Sequence, residues 1–235
     1  PEYSDSASYA RQIEADYQAA ETLFENHSFD EAADAFSALN NYADSAEMVS
    51  ACYYAKAEAL RIAGFYDDAI AVYSSISNYS DSVSKINECH YQKALAYLAD
   101  GQRYEAETEF KKIINYSDAA NRLDSLRLDI ADSAFADKDY AVALEYYLKL
   151  DQTEELKAKE YTLAQNCYDE GYFEQAVLAY EALGQYELSV SKLPVARYAY
   201  ASQLFDNAEY AKAAEQFTLL NGSTDSASRA KESAY

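Results

Sequence analysis

The stretch Asn78-Tyr79-Ser80-Asp81-Ser82 (NYSDS) is said again and again along this chain. NYADSA runs from Asn41 to Ala46, NYSDAA from Asn115 to Ala120 and EYSDSA from Glu2 to Ala7, with looser echoes in QYELSV at 185–190 and GSTDSA at 222–227. A phrase that recurs at near-constant spacing is either a repeated site or the punctuation of a repeated fold. The residues between the copies decide which.

Those residues repeat too. A glycine, an aromatic two residues on, an alanine, a second aromatic and a final Leu or Ile read as Gly64, Tyr66, Ala69, Tyr73, Ile76. The pattern returns as Gly101, Arg103, Ala106, Phe110, Ile113 and as Gly171, Phe173, Ala176, Tyr180, Leu183. Three more copies replace the glycine: His27 to Leu39, Lys138 to Leu150 and Ala208 to Leu220. The six anchors at 27, 64, 101, 138, 171 and 208 stand 37, 37, 37, 33 and 37 residues apart, and all six copies keep the alanine and the last aliphatic. A fixed period of this length is the signature of a repeat architecture.

Each unit reads as two helices. Ten residues before the anchors lie Tyr17, Tyr54, Tyr91, Leu128, Tyr161 and Tyr198, and three residues later Ala20, Ala57, Ala94, Ala131, Ala164 and Ala201. Apolar residues at steps of three and four predict helix A. The glycine slot ends it, because glycine tolerates a left-handed helix stop. Helix B follows, with its aromatic, alanine, aromatic and aliphatic on one stripe. Its alanine is small because A and B cross closely there.

The repeated phrase falls between helix B and the next helix A. The Tyr at 42, 79, 116 and 186 is expected to pack across the turn, and Asp44-Ser45-Ala46-Glu47 has the spacing of a capping box for the following helix. NYSDS is therefore punctuation. The formal Asn-x-Ser glycosylation acceptors at Asn26, Asn78, Asn115 and Asn221 are read as by-products of that turn chemistry.

The departures from the pattern have expected consequences. The fifth unit is four residues short between Thr153 and Tyr161, about one helical turn, so its helix A is expected to start a turn later and keep its face. Pro194 should kink or restart the sixth helix A. Asp225 to Tyr235 reads as the start of a seventh helix A, or as a cap on the end of the stack.

Composition bounds the function. The chain has 235 residues, with 19 Lys and Arg against 41 Asp and Glu, a formal charge of −22. A nucleic-acid binder needs a cationic footprint, which is missing here. No apolar run approaches membrane-spanning length, so direct insertion by this segment is not expected. With 25 Tyr, 9 Phe and only seven Pro and Gly together, disorder is excluded in favour of an ordered helical chain. Cys52, Cys89 and Cys167 form no ligand cluster and are read as small core residues. The chain opens on Pro1 and its only methionine is Met48, so we read it as part of a longer protein whose targeting signals lie elsewhere. Its place is therefore open, with the cytoplasm and a Gram-positive-type cell surface both compatible.

A helix-turn-helix unit of this length ending G-x-Y-x-x-A-x-x-x-F/Y resembles the tetratricopeptide repeat (TPR). The 37-residue period and the YxDSA turn resemble the TPR-like arrays of many bacterial multi-repeat proteins. The resemblance implies an all-α, right-handed superhelical solenoid over 1–235, with helix A lining a concave groove. Its six repeats would run approximately 3–41, 42–78, 79–115, 116–152, 153–185 and 186–222, with 223–235 beginning a seventh or capping helix. Such proteins bind other proteins or peptides and carry no cofactor. No phosphate loop, nucleophile elbow or metal motif points to catalysis, and His27 and His90 show no partner constellation.

If helix A lines a groove, its inner face carries the tyrosine slot and the slots thirteen, six, three and two residues before the anchor. Tyr54, Tyr91, Tyr161 and Tyr198 occupy the first; Arg61, Phe135, Tyr168 and Phe205 occupy the slot three before. The remaining slots hold eight acids among eighteen residues, including Glu21, Glu58 and Asp132, and no Lys or Arg, more than twice the share set by 41 acids in 235. An aromatic strip flanked by acids suits a peptide, preferably basic, and does not suit the acidic tails taken by basic carboxylate clamps. The competing reading is that these aromatics pack repeat against repeat and that the chain is a spacer between functional neighbours.

Overall fold

The computed structural model describes residues 2–220, with side chains from residue 8 onward. Among the described residues there are twelve α-helices and no strand. They are α1 (Glu2–Glu25), α2 (Phe29–Ala38), α3 (Ser45–Ile62), α4 (Tyr66–Ser75), α5 (Ser82–Ala99), α6 (Arg103–Lys112), α7 (Ala119–Ala136), α8 (Tyr140–Tyr147), α9 (Glu154–Asp169), α10 (Phe173–Leu183), α11 (Ser189–Asp206) and α12 (Tyr210–Leu219). Odd-numbered helices are the A helices and even-numbered ones the B helices, so the expected helical-hairpin repeat is present in all six copies. The expected seventh helix lies outside the described residues.

The chain divides into two compact units. The first, to Leu123, holds α1 to α6 and the start of α7; the second, from Asp124, holds the rest of α7 and α8 to α12. Within each unit the core sets buried alanines against large helix-B rings such as Phe36, Tyr73, Phe110, Tyr147 and Phe217. The six helix-A alanines (Ala20 to Ala201) and the six helix-B alanines (Ala32 to Ala213) are all fully buried. Cys52, Cys89 and Cys167 are buried free thiols, and burial pushes their pKa values up to about 11, 11 and 12, as befits core residues.

The glycine slot closes helix A through one hydrogen-bond pattern in every copy. In the third, the amide of Gly101 donates to the carbonyl of Leu98 at 3.1 Å and that of Gln102 to Tyr97 at 2.8 Å. These are the paired bonds of a Schellman stop, which needs a left-handed residue. Gly64, Gly101 and Gly171 adopt φ of +83°, +75° and +86°. His27, Lys138 and Ala208 take the same turn at 62°, 62° and 64° despite their Cβ atoms. The backbone pattern thus outlives the glycine that favours it.

Three expectations are corrected. Asp44 and Asp81 stand at the N-caps of α3 and α5, yet neither side chain bonds the helix's amides, so the capping box is not formed. Their carboxylates face backward, to the preceding helix A. Side-chain caps occur instead at Asp139, which accepts from the amide of Val142 at 3.3 Å, and at Thr153, which accepts from Leu156 at 3.2 Å. The four-residue deletion does not delay helix A by a whole turn. The linker stays six residues long, while α8 stops two residues early and α9 starts two residues late against the other copies. The restart expected at Pro194 is absent, since α11 runs through it from Ser189 to Asp206.

Candidate partner-binding face

The tyrosines of helix A sit between two other rings. Tyr54 meets Tyr73 of α4 and the turn residue Tyr79 edge-on, with centroids 5.5 and 5.8 Å away. Tyr91 stands likewise between Phe110 and Tyr116, and Tyr161 between Tyr180 and Tyr186. Edge-to-face rings at this range attract through their quadrupoles. Tyr198 packs on Phe217 at 5.7 Å. These four expected groove tyrosines are half-buried within their own repeats.

The hydroxyls of the first three reach onward. Tyr17, Tyr54 and Tyr91 each donate at 2.5 Å to an aspartate twenty-seven residues later: Asp44, Asp81 and Asp118. The aspartate of the repeated phrase is thus a latch, tying helix A to the turn that opens the next repeat. The Asp44 hydrogen bond, with a smaller contribution from burial, pushes the Tyr17 phenol up to about 12. For Tyr54 burial leads and the Asp81 bond follows, again to about 12. Arg122 adds a cation over the Tyr91 ring at 5.6 Å.

The slot three before the anchor holds the hairpin together. Phe135 packs on Tyr140 at 5.9 Å, Tyr168 on Phe173 at 5.6 Å and Phe205 on Tyr210 at 5.3 Å. In the second copy this slot is Arg61, which enters an ion network instead. Its guanidinium donates to both oxygens of Glu58 and, at 3.0 Å, to Glu88, while Lys85 bridges to Glu88 at 3.2 Å. The Tyr73 hydroxyl also donates to Glu58. Arg61, with Tyr73 and Lys85 behind it, holds the Glu58 carboxyl down at about 2 against the cost of burial.

Asp132 repeats that arrangement in the fourth copy. It accepts from the Tyr147 hydroxyl and from Lys159, both at 2.6 Å. Glu21 has no such partners, because the equivalent positions are Phe36 and Met48, and its carboxylate is exposed. Glu25, Asp169 and Asp206, at the slot two before their anchors, are likewise exposed and without an ion pair among the described residues. The expected acids therefore include three that are internally neutralised, Glu58, Glu88 and Asp132, and a solvent-facing set.

Sequence reasoning missed the tyrosine acceptors and a histidine cluster. His90 Nδ1 lies 2.7 Å from the buried Glu109, which also meets Lys93 at 3.3 Å and Lys112 at 3.0 Å. Burial alone would raise that carboxyl; Lys112, His90 and Lys93 outweigh it and keep it low. The cluster is a satisfied ion network. Among the described residues, no group of three or more His, Cys, Asp or Glu is placed to hold a metal, and no helix is long and apolar enough to cross a membrane.

No family model matches the chain, and no curated protein matches it. Among solved structures, it aligns with the TPR2AB-domain:pHSP90-complex of yeast Sti1 over 96% of each chain, at 14% identity and a TM-score of 0.22. A superposition that loose carries nothing about this chain's partner.

Proposed function

We propose that this chain is a non-catalytic scaffold that binds a basic protein or peptide segment along its acidic, tyrosine-rich A-helix face. The observation that supports the reading is the solvent-facing set of carboxylates: Glu21 and Glu25 in the first unit, Asp169 and Asp206 in the second. Each is exposed, and none is neutralised by a cation among the described residues. Within each unit, exposed charge of one sign steers an opposite partner and weakens with salt.

The test is capture of a partner in low and high salt by the wild type and by a variant with Glu21, Glu25, Asp169 and Asp206 changed to Lys. Glu58 and Asp132 are left alone, because reversing them would break the Arg61 and Lys159 pairs. Binding that falls with salt and disappears in the variant, with unchanged helicity, supports the groove. Binding indifferent to both removes it. The spacer reading draws support from the internal packing of Tyr54, Tyr91, Tyr161 and Tyr198, and predicts no partner at either salt.

A further inference from the structure

The fourth repeat breaks the latch at three positions together. Ten residues before its anchor it has Leu128 where the five other copies have tyrosine. Three residues before the next helix A it has Asp151 where Tyr42, Tyr79, Tyr116 and Tyr186 stand, and one residue before that helix it has Thr153 where the first three copies have Asp44, Asp81 and Asp118. In those three copies the two rings fill the place, with centroids 5.8 to 6.1 Å apart and the helix-A hydroxyl on the aspartate.

With both rings replaced, a cleft opens. It measures about 340 Å³ and is lined by Leu128, Asp151 and Thr153 themselves, together with Leu150, Leu156 and the carboxylates of Asp124 and Glu155. That volume lies in the range of small-molecule and side-chain sites. Leu156 is buried and Leu128 and Leu150 are half-buried, giving the cleft an apolar floor. Lys159 also lines it, but its ammonium is held by Asp132 at 2.6 Å. Asp151 and Glu155 are exposed and in no ion pair among the described residues.

We propose that this cleft receives a tyrosine side chain of a partner protein, with a Lys or Arg next to it in the partner's sequence. The proposal deepens the scaffold reading and rests on it. The partner's ring would take the place that the chain's own rings fill in the first three repeats. Glu155, an exposed carboxylate lining the cleft in no ion pair among the described residues, would accept the phenol hydroxyl, which selects tyrosine over phenylalanine. Asp151, in no ion pair among the described residues, matches the neighbouring cation, whereas Asp124 is already paired with Arg127 at 3.5 Å. A buried aromatic anchor with a charged surround is the usual composition of an affinity hot spot. A second copy of this chain is a poor occupant, because at −22 it repels itself.

The test uses the whole chain and the blocked peptide acetyl-Lys-Tyr-Lys-amide, followed by leucine-methyl NMR, with Phe, Ala and Glu-Tyr-Glu versions beside it. The expected result is saturable shifts at Leu128, Leu150 and Leu156, weaker binding by Phe and none by Ala or Glu-Tyr-Glu. Leu128→Tyr restores the repeat's own ring and should weaken the Tyr peptide at least about tenfold. Asp151→Asn alters only an exposed group and should weaken Lys-Tyr-Lys while sparing acetyl-tyrosinamide, which covers the case in which Leu128→Tyr misfolds. Shifts mapping elsewhere, equal binding by the Ala peptide, or no effect of either variant overturns the proposal. So does self-association of the wild type that Leu128→Tyr abolishes, because the cleft would then belong to a second copy. If the cleft fails while a captured partner still depends on Glu21, Glu25, Asp169 and Asp206, the scaffold reading stands without it.

Discussion

Asp81 presents two rival accounts of one carboxylate, and a double-mutant cycle with Tyr54 separates them. As an N-cap it would satisfy an orphan amide of α5, and its replacement by Ala would cost about 1 kcal/mol. As the latch acceptor it takes the Tyr54 hydroxyl at 2.5 Å. A hydrogen bond to a charged acceptor nets about 1.5–3 kcal/mol, which solvent exposure at Asp81 cuts toward about 1. Asp81→Ala alone therefore cannot decide. Tyr54→Phe keeps the ring between Tyr73 and Tyr79 and removes only the hydroxyl. On the latch account each single change costs about 1 kcal/mol and the pair costs little more, a coupling near 1 kcal/mol. On the capping account Tyr54→Phe is nearly neutral and the two effects add. The assay is urea unfolding by far-ultraviolet circular dichroism at pH 7. A coupling under about 0.3 kcal/mol would refute the latch. Alkaline titration gives a second reading. With the folded phenol pushed up to about 12 and an ordinary unfolded value near 10, its stabilisation is whole below pH 10 and lost as pH rises through 12. Tyr54→Phe should shallow that decline.

Three further outcomes follow from other sites. Ala69 is fully buried, so Ala69→Leu should overpack the repeat and lower stability by about 1–3 kcal/mol; an unchanged melt counts against a close crossing there. Glu160 is fully buried with one oxygen unpartnered and the other accepting from Gln152 at 2.8 Å, and burial raises its pKa. Because the fold favours its protonated form, it weakens the protein as pH climbs above the ordinary carboxyl value, so Glu160→Gln should add about 1 kcal/mol at pH 8 and little at pH 4. An equal gain at both would refute the charge argument. Ala208 closes α11 at φ 64°, so Ala208→Gly should stabilise by roughly 0.5–1 kcal/mol in the same melt, and a loss there would remove the strain argument.

Period and helix phase could be read from one sequence because backbone geometry enforces them at every copy. Six anchors demand six left-handed stops, and even His27, Lys138 and Ala208 comply. Partner choice is harder to read, because it depends on residues one helix apart. The glutamate of Asp44-Ser45-Ala46-Glu47 advertises a local cap, yet Asp44 accepts instead from the phenol of Tyr17, twenty-seven residues upstream. The clue was present as a correlation: among the described residues, the three copies with both a helix-A tyrosine and an aspartate just before the next helix A form the latch, whereas the fifth copy has Tyr161 with Leu188 in that place and the fourth has Leu128 with Thr153. The same holds for the acids. Glu58 and Asp132 are followed by Tyr73 and Tyr147 on helix B and by Lys85 and Lys159 twenty-seven residues on, while Glu21 is followed by Phe36 and Met48. A pattern within one repeat could count acids on a face; only the pairing between repeats tells which are neutralised. That distinction moves the binding hypothesis away from Glu58 and Asp132. It leaves the carboxylates that the fold does not use, and the repeat whose own rings are missing, as the places where a partner has something to add.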